Sequence, residues 1–143
     1  MINKVVTKDE WRYFDVYIDM VSFLFASLVG KTDQKVCVTA QFWQRAKAFA
    51  RDFTQLLEDY GVEHVRRGEI DRLIMTLPGN NVVTFMPVMT GDKIRGLRAN
   101  IIIFHDVDTI PTNTIEEITC GYMAVSDDPI GDVKKRARYH YEN

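Results

Sequence analysis

His105 and Asp106 stand at the end of an unbroken apolar run, Ile101 to Phe104. Nucleotide-hydrolysing enzymes keep a metal-binding aspartate and a water-activating carboxylate where a covered strand runs out onto polar residues. Magnesium takes hard oxygen ligands and imidazole suits softer metals, so His105 is a poor substitute for the first of those carboxylates. Asp106 is left as the one carboxylate of the pair. A new metal site from His105, Asp106 and Asp108 is a weaker alternative, because neighbours on a strand point to opposite faces. The third alternative is an ordinary polar strand end in an unrelated α/β fold.

Basic residues form two short clusters, Arg66-Arg67 and Lys134-Lys135-Arg136 with Arg138. Such runs are usually a solvated face. Their functional reading is contact with DNA phosphates, with only Tyr139 and Tyr141 as interleaved aromatics. The Gly30-Lys31-Thr32 triplet has no upstream glycine and follows a helical pattern, so it reads as a helix end and turn. Cys37 and Cys120 sit in apolar runs outside any CxxC pair and read as buried, reduced thiols. A structural zinc would need more Cys and His.

The elements that must hold these groups fit one domain, residues 1–143. The chain is 46% hydrophobic and 27% charged, and its formal net charge of −2 gives no global attraction to nucleic acid. No apolar stretch approaches the ~20 residues of a membrane span, and no leader pattern is visible at Met1 to Lys4. Asn3 to Val6 reads as a short strand. Thr7, with Glu10 three residues on, marks the start of a helix from about Lys8 to Val29, covered on most sides and ended by Gly30. Lys35 to Thr39 is a β-branched strand. A second helix from about Gln41 to Tyr60 carries the apolar stripe Phe42, Ala46, Phe49, Phe53, Leu56, Leu57 and Tyr60. Ile70 to Leu77 and Val82 to Val88 flank a Pro78-Gly79-Asn80-Asn81 turn and form a hairpin. Asn100 to Phe104 suits a central parallel strand covered on both faces. Further helices are expected from about Thr114 to Val125, with Glu116 and Glu117 in the first turn, and from Ile130 to about Tyr139. Trp11, Tyr13 and Tyr17 read as core or interface residues, and Trp43 as half exposed. The pattern is an α/β three-layer sandwich with central parallel strands and an attached antiparallel hairpin.

GDKIRGLRANIIIFHDVDTIP, Gly91 to Pro111, followed by IEEITCGYMAVSDDP, Ile115 to Pro129, resembles the ATPase domain of bacteriophage large terminase subunits, the motors that package viral DNA. KVCVTAQFWQRAKAFARDFTQLLED, Lys35 to Asp59, is similar to that family's second strand and following helix, and the likeness covers roughly residues 3 to 130. It implies a P-loop-ATPase-like fold, with the Walker B aspartate replaced by His105 and the catalytic glutamate by Asp106. It also implies an arginine, Arg95 or less closely Arg98, that acts across a subunit interface or on DNA.

The departures agree with one another. The family's phosphate loop would fall between the first strand and first helix, but Val5 to Phe14 contains no glycine, and Asp9 and Glu10 there repel phosphate. Asp106 is one methylene shorter than a glutamate, and a displacement of about 1 Å can cost about 10²-fold in rate. The family's coupling-motif strand and nuclease domain have no counterpart before Asn143, so the sheet is expected to leave an edge for something else to cover. The resulting expectation is a truncated, phage-encoded, catalytically inactive domain with no Mg-ATP bound. It would work in the cytoplasm of the infected bacterial host by binding a large terminase, another packaging component or a host factor. Two other classes stay open. One is a fragment or split terminase subunit that keeps nucleotide or metal binding, with Asp106 as base. The other is a small DNA-binding module using Arg66, Arg67 and Lys134 to Arg138.

Overall fold

A strand that is apolar throughout has to be covered on both faces. Lys35–Ala40 and Ile101–His105 are mostly apolar, and every residue after the first is buried. In the computed structural model, which describes residues 3–7, 11–14, 16–88 and 99–119, they pair in parallel, from Val36 opposite Ile101 to Ala40 opposite His105. Around them the described chain is a mixed α/β fold. Its strands are β1 (Asn3–Thr7), β2 (Trp11–Phe14), β3 (Lys35–Ala40), β4 (Val65–Gly68), β5 (Leu73–Leu77), β6 (Asn81–Pro87) and β7 (Ile101–His105). They form one seven-stranded sheet in the order β2-β1-β7-β3-β6-β5-β4. Parallel pairing is confined to the centre, β7–β3–β6. The pairings on either side are antiparallel, which makes the sheet mostly antiparallel.

Helices α1 (Tyr17–Leu28) and α2 (Trp43–Asp59) supply Met20, Leu24, Phe49, Phe53 and Leu57 to a core shared with Val38, Val83, Phe85 and Ile103 of the sheet. A 3-10 turn (Val107–Thr109) and α3 (Thr112–Thr119) belong to a second core, with Val107, Ile115 and Ile118 joining Cys37, Met86, Ile102 and Phe104. Alternate residues of β3 and β7 divide between the two cores, as the two-residue period of a strand requires. Among the described residues no helix is long and apolar enough to cross a membrane.

The N-terminal part departs from expectation. Trp11 to Phe14, expected inside a helix, form β2, and α1 begins only at Tyr17. β1 folds against β2, with Val6 opposite Trp11, and lies antiparallel along β7, with Val5 opposite Ile103. The reason is the open edge of β7, a row of backbone donors and acceptors beside a core. It outcompetes a helix start whose aromatic residues favour strands in any case. β1 thus covers the edge of β7, and among the described residues the sheet ends in β2 on one side and β4 on the other.

Other differences are local. β4 is a strand that the sequence reading lacked, because VRRG shows no apolar alternation. Phe42 and Tyr60, placed on the buried stripe, cap the two ends of α2 and are 58% and 71% exposed. α3 starts at Thr112, so Glu116 and Glu117 fall in its second turn. The expected last helix and Cys120 lie outside the described residues.

The helix layer is fastened to the sheet by one buried amide. Asn81, at the start of β6, is fully buried. Its Nδ2 faces three carbonyl oxygens, donating to Leu28 at 2.9 Å, Lys31 at 2.7 Å and Pro78 at 2.8 Å. Its Oδ1 accepts the Gln34 backbone N–H at 2.9 Å. The end of α1, the entry to β3 and the β5–β6 turn therefore meet on one side chain. Gly79 in that turn has φ +88°, and a Cβ there would meet the Lys31 carbonyl oxygen. Asn81→Ala strands several buried backbone groups and should cost roughly 3 kcal/mol, read as a fall in the urea midpoint at unchanged slope. Gly79→Ala should cost more than Gly30→Ala, since both have positive φ but a Cβ at Gly30 meets nothing. Equal losses in the two alanine variants would rule out the close approach at Lys31.

Candidate functional site

β3 and β7 end side by side, Ala40 opposite His105, and their chains then diverge. After β3 the chain enters α2 over one core; after β7 it enters the 3-10 turn and α3 over the other. Neighbouring parallel strands whose connections leave to opposite faces open a crevice at their carboxyl ends, where α/β sheets bind ligands. His105 and Asp106 are at that place, as the sequence pattern implied.

His105 is only 3% exposed. Its ring centroid lies 5.3 Å from that of Tyr17, the first residue of α1, and 5.3 Å from that of Phe49 in α2. Burial pushes its pKa down to about 4; Asp106 and Asp52 oppose the fall and Arg45 adds to it. At neutral pH the imidazole is uncharged and packed as one aromatic ring among three. The Tyr17 hydroxyl donates to Asp52 Oδ2 at 2.6 Å, and burial together with that bond holds the phenol protonated far above its ordinary range.

Asp106 has left the strand. Its backbone is left-handed, φ 55°, and its carbonyl accepts both the Thr109 N–H at 3.1 Å and the Thr109 hydroxyl at 2.7 Å. Its carboxylate Oδ2 lies 3.9 Å from Arg45 Nη1, with the Asp106 side chain 13% exposed and that of Arg45 50%. The separation of His105 from Asp106 thus comes from this turn rather than from alternation along a strand. Asp108 is exposed in the 3-10 turn. Among the described residues no three His, Cys, Asp or Glu side chains come together to hold a metal ion, so His105, Asp106 and Asp108 are not assembled into one site.

The place where the resemblance puts a phosphate loop has a different geometry. Phosphate loops gather backbone N–H groups at a helix N-terminus. The described parts of that segment, β1 and β2, are instead paired strands. Beside the strand ends, Gln41, Phe42, Val88, Pro111 and Thr114 line a cleft of about 370 Å³. Among the described residues, buried Gln41 Oε1 has no hydrogen-bond partner, nor has Thr39 Oγ1 in β3. The Gln41 amide has an oxygen that accepts and a nitrogen that donates, so it brings a polar group without charge to this cleft.

The remaining sequence candidates scatter. Arg66 and Arg67 are successive residues of β4 and point to opposite faces. Arg66 lines a groove with α2, and Arg67 one with Val65 and Ile74. Arg95, Arg98, Lys134, Lys135, Arg136 and Arg138 lie outside the described residues. Sequence reasoning missed Arg45, Tyr17, Asp52 and Gln41 as parts of the crevice. The signal for Arg45 and Gln41 was their place just after a parallel strand, where a chain passes the crevice mouth. A scan of protein-family models and comparisons with curated proteins and with solved structures return no match for this chain.

His105 makes stability depend on pH. Its folded pKa, about 4, lies below its unfolded value near 6.5, so the unfolded chain binds the extra proton between those values. The contribution is complete above about pH 6.5 and is lost as pH falls through the folded pKa of about 4. His105→Leu should reduce the drop in unfolding free energy between pH 7 and pH 4.5, read from urea titrations, by an amount on the order of 2 kcal/mol. An identical pH profile for the variant would show that the imidazole protonates freely in the folded state.

Proposed function

We propose that this chain is a terminase-like domain on the three-layer P-loop-ATPase plan whose nucleotide site has been closed, and that it acts by docking onto another macromolecule. The partner to which the Gly91–Pro111 resemblance points is the phage DNA-packaging motor, its large terminase first. The observation that carries the reading is the packing of the crevice. Where a nucleotide's magnesium and attacking water would sit, His105 is buried neutral between Tyr17 and Phe49. Asp106 is turned away from the strand, toward Arg45.

The same end of the sheet keeps apolar groups in water. Val16 before α1, Ile18 in its first turn and Phe42 before α2 are 52%, 59% and 58% exposed. Large apolar side chains at the rim of a filled site suit a protein surface better than a small polar ligand. A motor subunit that lacks its own chemistry can still occupy a ring position, and so regulate, cap or poison the ring.

Calorimetric titration with Mg-ATP and Mg-ADP should give no heat, and thermal unfolding should not shift. A true ligand at ~100 times its Kd would add about 2.7 kcal/mol of stability. Saturable binding would overturn the closed-site reading in favour of a split terminase subunit. Mixing with purified large terminase should give a stoichiometric complex, weakened at least tenfold by Phe42→Asp or Ile18→Asp. Failure to bind terminase or any other packaging protein of the phage would sink the docking role.

A further inference from the structure

A second surface, away from the crevice, has a different chemistry. The outer side of α2 and the β4–β5 hairpin enclose an open groove of about 590 Å³ whose lining includes Trp43, Lys47, Arg51, Arg66, Arg72 and Glu69. Four of these six side chains are cationic and one is acidic, on a chain whose net charge is −2. The acid is already engaged: Glu69 Oε2 accepts from Arg72 Nε at 2.7 Å, and its Oε1 lies 3.6 Å from Arg67 Nη2. Arg51 lies 3.8 Å from Asp52, a carboxylate that Tyr17 already holds. Among the described residues, Lys47 and Arg66 have no ion-pair partner. Their charge is neutralised by nothing the groove supplies.

The arrangement has a direction. Trp43, Lys47 and Arg51 are spaced four residues apart and line one side of α2, so successive side chains are separated by about 6 Å along the axis. That interval matches the spacing of phosphates along an extended single strand. Arg66 completes the opposite wall. It pairs with Met75, whose side chain lies in the core beneath α2, so Arg66 stands on the α2 side of the sheet. Trp43, half buried, lines the groove one helical turn before Lys47 and brings an aromatic ring to it. Cations tracking a backbone beside an aromatic face are the two parts of sequence-tolerant single-strand recognition.

We infer that this groove binds single-stranded nucleic acid, with Lys47, Arg51 and Arg66 on consecutive phosphates and a base stacked on Trp43. The inference does not depend on docking to a packaging motor, because it uses a different face of the domain. Sequence alone pointed to part of the site: Arg66 stood out in the Arg66-Arg67 pair, whereas Trp43, Lys47 and Arg51 come from another segment and form no basic run.

The test is fluorescence anisotropy of the whole chain with a labelled twelve-nucleotide oligothymidylate. Three or four phosphate contacts predict that log K falls against log salt with a slope of roughly −2 to −3. Lys47→Gln combined with Arg66→Gln should weaken binding at least tenfold and bring the slope to about −1. Lys31→Gln combined with Lys35→Gln, the same loss of two charges outside the groove, should weaken binding far less. Trp43→Leu should weaken binding about tenfold, within the 1–3 kcal/mol of a stacked base, and Trp43→Tyr should restore it. Circular dichroism of each variant shows that the fold is retained. No saturable binding at low salt overturns the inference. So does binding unchanged in the Lys47, Arg66 double variant, which would assign it to the Lys134–Arg138 cluster. Equal affinity for polyglutamate or for duplex DNA would overturn the assignment to single strands.

Discussion

Asn81 faces more backbone than one amide can serve with ideal geometry, and the place of α1 depends on how it divides its bonds. Its nitrogen ties the last turn of α1 to the turns on either side, while its oxygen holds the entrance to β3. A helix of twelve residues is a stiff rod about 18 Å long, so fixing its far end at Leu28 also fixes where Tyr17 arrives. Tyr17 arrives over His105. A polar contact at the amino end of the sheet therefore decides what covers the carboxyl end.

That cover changes what the crevice can do. In an open site a histidine at a strand end can exchange protons with water or bind a metal. Here two aromatic rings and burial keep it neutral, and it serves as a core residue with a polar edge. The positive charge beside it, Arg45, faces Asp106. The unsatisfied atoms nearby, Gln41 Oε1 and Thr39 Oγ1, are oxygens. The region thus offers polar oxygens and apolar contact around a neutral ring.

Much of the frame was legible in the residues. The unbroken apolar run of β7 announced a strand covered on both faces, the β-branched residues of Lys35 to Thr39 announced β3, and the Phe49, Phe53, Leu57 stripe announced α2. Pro78-Gly79-Asn80 announced its turn, because positive φ at Gly79 and Asn80 needs those residue types. The N-terminal segment was misread because its local signals conflict with a distant one. Thr7 and Glu10 are good helix-start residues, but the edge that recruits Asn3–Thr7 into a strand belongs to β7, far along the chain. The site was half legible. His105 and Asp106 stood out by their place at a strand end, whereas Tyr17, Arg45 and Asp52 reach them from two helices. No spacing within one segment could reveal that meeting.

The pairing of β1 with β7 also orders the assembly of the chain. A ribosome releases Val5 long before Ile103, its partner in the ladder. The first strand made is therefore among the last to find its place, and a hairpin with no edge to join must wait in solution. Contacts so distant in sequence slow the final closure. During that wait the edge of β7 in one newly made chain presents the same backbone ladder to the β1–β2 hairpin of another as to its own, and only the tether favours its own. Exchange of an identical element between copies is a low-cost route to dimers, so crowding on a polysome bears directly on whether this domain leaves as a monomer or an entwined pair.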